Sequence, residues 1–391
     1  MEGSAYLLPE PTHDATMTEV ERGTPMGELL RRYWHPVGLT ADAGPTPKKV
    51  TILGEELILF RDGQGRVGLI YPRCCHRGTT LYYGKVEDDG IRCCYHGWQF
   101  DVEGRCLDMP VEPEGGGNFK RKVRQPWYPV EERYGLIFAY MGPPDKKPLL
   151  PRYAIFEELE EGELVDADDS SLGSGGDVVA PCNWLQHFEN VMDPFHVVVL
   201  HDGFSGTQFV EPMGIMPEVT YENFEHGVRS FQVRTLDDGR TLRRITETVL
   251  PTLRIVASPV LTPGRCGFIG WTLPVDSTHY RIYTAARVTK KGALVKNRSK
   301  PGGKLWFDMT EEEHQKYPGD WEAQVGQGPI SYHSEEHLGV SDKGIIMLRK
   351  MFNEQLAAIT AGEDPINTAR TEDENYVTSQ SGNWFEDVAA E

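Results

Sequence analysis

Four residues in one short stretch carry the most specific chemistry of this 391-residue sequence: Cys74-x-His76 and, after sixteen intervening residues, Cys93-x-x-His96. Each half offers one thiolate and one imidazole at the tip of a loop between short strands. Two such loops facing each other can hold a [2Fe–2S] cluster with cysteine on one iron and histidine on the other. Zinc is the competing occupant, since it accepts two Cys and two His. Zinc motifs, however, usually pair like with like, as C-x₂₋₄-C and H-x₃₋₅-H, whereas here each pair is mixed and one spacer is a single residue. The glycines at 78, 84, 90 and 97 suit the close turns that two loop tips need.

A second constellation lies in NWLQHFENVMDPFHVVVLH, which supplies Asn190, Asp193, His196 and His201. Asp193 and His196 are three apart and share a helix face. His196 and His201 are five apart, about 140° around a regular helix, so they converge on one metal only if the helix is distorted. Pro194 removes one backbone hydrogen bond and offers a cause for such a kink or widened turn. Two histidines and one carboxylate on one side of an iron leave open positions for dioxygen and substrate. This helix offers only Asp193 and Glu189 as carboxylates, so a third ligand is sought far away in sequence. His187, nine residues before His196, falls on the opposite face and reads as a pocket or packing residue.

The elements that must position these groups follow from pattern. Residues 17–36 predict a short amphipathic helix, with Thr24 as cap and Pro25 in its first turn. From Val50 to about Tyr140, short apolar strands split by Gly and Asp turns predict a compact antiparallel β unit. The Pro-rich connector Pro143–Pro148 predicts a boundary, and the acidic stretch EELEEGELVDADD a solvated surface. Residues 183–201 predict a helix interrupted at Pro194. Strands resume from about Val219 to Val288, and a final helix capped by Ser341 runs through Ala361 to a stop at Gly362.

The cluster segment CCHRGTTLYYG…IRCCYHGWQFDVEGRC resembles the Rieske domain of bacterial Rieske-type non-haem iron oxygenases, phthalate dioxygenase-like and O-demethylase subgroup. The pattern N-W-x₄-E-N-x₂-D-x₂-H-x₄-H resembles that family's iron helix. The resemblance implies an α+β chain: an N-terminal helical segment (1–45) packing on the catalytic domain, an antiparallel Rieske β-domain (46–148), and a catalytic domain (149–391) with a curved antiparallel sheet over helices, of helix-grip type. It implies Cys74, His76, Cys93 and His96 as cluster ligands and His196 and His201 as ligands of a mononuclear Fe(II). Asn190 is then a neighbour of that iron, and Asp193 the carboxylate linking iron ligand to cluster ligand. GDWEAQVGQGPISYHSEEHLGVSD resembles the subgroup's C-terminal stretch and places Asp320 as the third ligand, with Asp308 and Glu322 as spare candidates. The family often has proline where Cys75 and Cys94 stand, which leaves either a disulfide bracing the two loops or two small buried thiols. Cys106, Cys182 and Cys266 read as core residues.

The implied activity is that of an oxygenase component hydroxylating or O-demethylating an aromatic, carboxylated or methoxylated compound with O₂. Electrons are expected from NAD(P)H through a separate ferredoxin-type or flavin/iron–sulfur reductase. The basic run FKRKVR (Lys120, Arg121, Lys122, Arg124) is the candidate docking patch for that donor, and a head-to-tail homotrimer or dimer of trimers the expected assembly. A Rieske electron-transfer protein with an inactive catalytic domain and a zinc-stabilised structural protein are the alternatives. With 40 basic and 59 acidic side chains and a formal net charge of −19, binding to nucleic acid or anionic membranes is disfavoured. No apolar run is long enough to span a bilayer, and the first residues show no export signal, so a cytoplasmic location is expected.

Overall fold

The computed structural model describes residues 5–169, 179–292 and 308–386. Three small antiparallel sheets occupy the N-terminal part. Strands Lys48–Ile52, Glu55–Arg61 and Val67–Ile70 form one meander, and Lys85–Glu87, Gly90–Arg92, Gln99–Phe100 and Cys106–Asp108 a second. Trp34–Leu39 pairs with Leu136–Tyr140, which in turn pairs with Val130–Arg133. The short alternating apolar runs thus close on one another as hairpins, and Ile58, Phe60, Ile70, Ile91, Trp98 and Phe100 fill a small core beneath the cluster loops.

The C-terminal part is built on a nine-stranded antiparallel sheet. Its main path runs Leu164–Asp168, His279–Val288, Phe268–Asp276, Leu253–Val256, Thr241–Val249, Gly227–Thr235 and Glu218–Phe224. The helix Lys343–Thr360 lies against Gly227–Thr235 and seats Leu348, Met351, Phe352 and Leu356 in the core, while Ile346 is exposed. The opposite face of the sheet meets the N-terminal part. Trp271 stacks edge-on against Phe138, ring centroids 5.7 Å apart, and Leu53 N–H donates to Pro274 O at 3.0 Å.

Four local expectations are corrected. The segment 17–36 is not one helix. Thr24 does cap Pro25–Leu30 by accepting from Gly27 N–H, but the chain that follows joins a sheet as Trp34–Leu39, where Pro36 and Gly38 disfavour a continuing helix. The acidic stretch is not wholly a solvated surface, because Leu164–Asp168 pairs as the edge strand of the large sheet, where acidic side chains keep an open edge soluble. Ser341 does not cap the last helix: a single tight turn, Val340–Asp342, precedes it, and Asp342 accepts from Gly339 N–H. Cys75 and Cys94 are neither bridged nor buried. Each loop turns Cys74 or Cys93 inward, which leaves the following cysteine free on the outside. Cys106, Cys182 and Cys266 are core residues.

Candidate active site: two metal centres

The two cluster loops have the same backbone wiring despite their different spacers. Cys74 N–H donates to Thr79 O at 2.9 Å and Gly78 N–H to Cys74 O at 2.8 Å. In the second loop Cys93 N–H donates to Trp98 O at 2.9 Å and Gly97 N–H to Cys93 O at 3.1 Å. Gly78 (φ +81°) and Gly97 (φ +75°) close the loops in the left-handed region that favours glycine. The thiols of Cys74 and Cys93 are buried and face each other. Burial, with Cys93 beside it, pushes the Cys74 thiol up to about 12, an arrangement that a positive metal pair relieves by taking both as thiolates. His76 and His96 stand side by side, ring centroids 4.6 Å apart, both half-buried, and Trp98 stacks on His76 at 4.3 Å. Two inward thiols and two adjacent imidazoles at one tip fit a cluster with unlike ligands on its two irons.

Gln125 holds the first loop, and nothing in the sequence pattern singled it out. Fully buried, it accepts from Cys75 N–H at 2.8 Å and donates to Tyr71 O at 2.8 Å and Arg73 O at 2.9 Å. Gln125→Ala leaves three backbone groups without a partner and is expected to cost about 2–4 kcal/mol. The check is a lowered urea midpoint together with faster loss of cluster absorbance; an unchanged midpoint would mean that the cluster alone holds the loop. Phe119 meets Trp98 edge-on at 6.1 Å, which sets the basic run beside these loops. Lys120 and Arg124 are tied to Leu107 O and Glu103 O, each at 3.0 Å, and Arg121 and Lys122 are exposed.

The second centre forms where the helix Trp184–Asn190 breaks at Met192–Pro194, restarts at Phe195–Val198 and widens into a π-helical turn over Val199–Phe204. That widening brings residues five apart onto one side, so His196 and His201 converge. Asp320, at the start of the helix Asp320–Val325, meets them from 119 residues beyond His201. Among the described residues these three form the one group whose ligand atoms all lie within 4.8 Å of one another. Asp320 Oδ1 is 3.2 Å from His201 Nε2 and 3.6 Å from His196 Nε2, close to the roughly 3 Å between adjacent ligands of one ion with ~2.1 Å bonds. Of the spare candidates, Asp308 is exposed, and Glu322 is engaged with Gly319 N–H and His314.

Surrounding groups orient the triad. His196 Nδ1 donates to Asp193 O, and His201 Nδ1 donates to Gln208 Oε1 at 2.8 Å, so each ring turns its Nε2 lone pair toward Asp320. Burial works against the Asp320 anion, but the positive charge that the His201 and His196 rings carry when protonated outweighs it and holds the carboxyl well below the usual range. Asn190 Nδ2 lies 3.3 Å from His196 Nε2 and 3.4 Å from Asp320 Oδ1. The Asp193 carboxylate accepts from Phe195 N–H at 2.9 Å and sits 3.6 Å from His196 Nδ1, still partly open to solvent. Glu189 is withdrawn from the site by Arg349, which forks onto it at 2.5 and 2.8 Å and onto Glu336 at 2.5 and 2.9 Å. His187 is not with the ligands: it stacks on Tyr280 and shares Gln324 with it. Gln324 is four residues after Asp320 on one helix face, a spacing that could have flagged it; Gln208 carries no such signal.

The Rieske [2Fe-2S] domain model matches residues 33–128. The phenoxybenzoate dioxygenase subunit alpha of Ectopseudomonas oleovorans is 50% identical over 389 residues, 98% of this chain and 94% of the relative. The chain belongs to the Rieske non-haem iron oxygenases, as an oxygenase alpha subunit. A Rieske oxygenase of this kind carries a [2Fe–2S] cluster and a mononuclear iron, and the two constellations supply a donor set for each. The 5,5'-dehydrodivanillate O-demethylase oxygenase subunit of a Sphingobium species is 34% identical over 89% of this chain and 81% of its own. In solved structures, Pseudomonas putida CBB5 NdmA (a QL mutant with caffeine) superposes with a TM-score of 0.59 over 94% of this chain and 100% of that one. At 20% identity the similarity concerns the fold. No helix among the described residues is long and apolar enough to cross a membrane.

Proposed function

We propose that this Rieske oxygenase hydroxylates or O-demethylates an aromatic compound with O₂, on electrons from a separate NAD(P)H-dependent reductase of ferredoxin or flavin/iron–sulfur type. The observation that carries the reading is the convergence of His196, His201 and Asp320 in the same chain as the paired Cys/His loops. In this reading Cys74, His76, Cys93 and His96 hold the cluster, His196, His201 and Asp320 hold the mononuclear iron, and the chain divides into 1–45, 46–148 and 149–391. The metals supply electron storage and open coordination positions for O₂.

The chain's own side chains orient and insulate. Asp193 O and Gln208 fix the tautomers of His196 and His201, so that both Nε2 atoms stay free to ligate. Asn190 holds its amide Nδ2 within 3.4 Å of both His196 Nε2 and Asp320 Oδ1, close enough to help set their positions. Asp193, with one oxygen near His196 Nδ1 and its carboxylate partly exposed, is placed to accept an imidazole N–H from another molecule. His76 and His96 are likewise half-exposed at the tip of their loops. A head-to-tail homotrimer, or a dimer of trimers, in which Asp193 meets His96 of the partner subunit joins the two centres by one carboxylate.

The activities named for the phenoxybenzoate and dehydrodivanillate relatives support an aromatic substrate. The test is a screen of aromatic acids and methoxyaromatics for substrate-dependent O₂ uptake, with formaldehyde scored separately. The expected result is uptake with at least one compound, and formaldehyde if a methoxy methyl is attacked. A loaded, reducible protein that takes up no O₂ with any of them would instead be an electron-transfer protein.

A further inference from the structure

Three buried arginines lie on the face of the large sheet that looks toward the triad, and one of them has no partner. Residues directly opposite each other across paired strands share a face. Arg254 is opposite Gly270, which is opposite Thr284, and four pairs along the same hairpin, hence on the same face, Pro274 is opposite Tyr280. Tyr280 stacks on His187 of the iron helix and donates to Gln324 on the Asp320 helix, so this face is the one under the site. On it Arg244 donates to Ala257 O at 2.5 Å, Ser258 O at 2.9 Å and Asn383 Oδ1 at 3.0 Å. Arg234 donates to Ile215 O at 2.9 Å. Arg254 is only 8% exposed, yet makes no hydrogen bond or ion pair with any described residue.

The surroundings leave room for this guanidinium and share its lack of partners. A Cβ on Gly270 would sit 2.6 Å from Arg254 Nε and 3.1 Å from its Cζ, so the glycine is what lets the guanidinium lie across the neighbouring strand. The hydroxyls of Thr272 and Thr284, on the same face, are buried without partners, as is His187 Nε2. Burial, with Arg254 nearby, pushes the His187 imidazole down to about 3, so it stays neutral and adds no second cation. Asp320 also feels Arg254, but as a proposed metal ligand it is already committed. Water can satisfy hydroxyls; it cannot neutralise a buried cation.

We propose that Arg254 is the specificity-determining residue of this site and that it anchors a carboxylate on the aromatic substrate. The planar fork of a guanidinium matches the two oxygens of a carboxylate, and that pairing supplies the missing negative charge. Held there, the acid end of the substrate is fixed and the ring extends toward the triad, so the oxidised carbon is one remote from the carboxylate. This role rests on the oxygenase reading above and narrows its substrate class to aromatic acids.

The test is calorimetric titration of the metal-loaded protein, without reductant, with benzoate, 4-methoxybenzoate and 3-phenoxybenzoate, each beside its primary amide. Wild type is expected to bind at least one acid about 30-fold or more tighter than the matching amide. Arg254→Gln is expected to erase that ratio, and Arg254→Lys to restore part of it. Amides bound as well as acids, no saturable binding of any acid, or an unchanged ratio in a folded Arg254→Gln would each overturn the proposal. If the glutamine variant fails to keep its iron, the wild-type ratio decides. Selective acid binding without O₂ uptake would retain the anchor and remove the oxygenase reading.

Discussion

Asp320→Ala is expected to lose the mononuclear iron and all turnover while keeping the Rieske absorbance. Asp320 is the carboxylate that His196 and His201 face at 3.6 and 3.2 Å, and it comes from a helix more than a hundred residues away. Without it two neutral imidazoles remain, and the site lacks the anion that offsets a divalent charge. Its deletion should weaken iron binding by more than about 100-fold, beyond the usual effect of changing a residue that merely supports a ligand. The cluster loops have their own core and their own hydrogen bonds, so their spectrum should not change. The measurement is iron per chain alongside the visible spectrum, with O₂ uptake as the functional readout. Retained iron and turnover would remove Asp320 from the site and reopen the search for a third ligand.

Asp193→Asn separates holding the metals from joining them. The carboxamide keeps an oxygen that can accept from Phe195 and His196 N–H, so the break before Phe195 should persist. What it loses is the negative charge 3.6 Å from His196 Nδ1 and one of the two oxygens that could accept an imidazole N–H from a partner subunit. Both centres are therefore expected to load normally, with turnover falling by about 100-fold or more. Reduced-cluster reoxidation in the presence of substrate and O₂, followed by stopped flow, reads this step directly. Reoxidation as fast as in wild type would show that electrons pass by another route.

Much of this geometry was legible in the residues and some of it was not. The Cys/His pairs announced the cluster because mixed thiolate–imidazole spacing serves few other purposes. The five-residue gap between His196 and His201 demanded a distorted helix, and the widened turn at Val199–Phe204 after Pro194 meets that demand. Asp320 needed the resemblance, since nothing local ties it to residues so distant. Short segments whose fate depends on a distant partner misled. Trp34–Leu39 is a strand because Leu136–Tyr140 lies alongside it, and Leu164–Asp168 because His279–Val288 does. Polar side chains were the least legible: Gln125, Gln208 and Arg254 act through what they do or do not touch, and no periodicity records that.

One chain holding two chemically distinct iron centres has a direct analytical signature. Iron and acid-labile sulfide per chain, measured with the electron paramagnetic resonance of the dithionite-reduced protein, test it most directly. About three irons and about two sulfides per chain are expected, with a cluster signal of the mixed histidine–cysteine kind. About two irons without a mononuclear site, or zinc in place of iron, would contradict it.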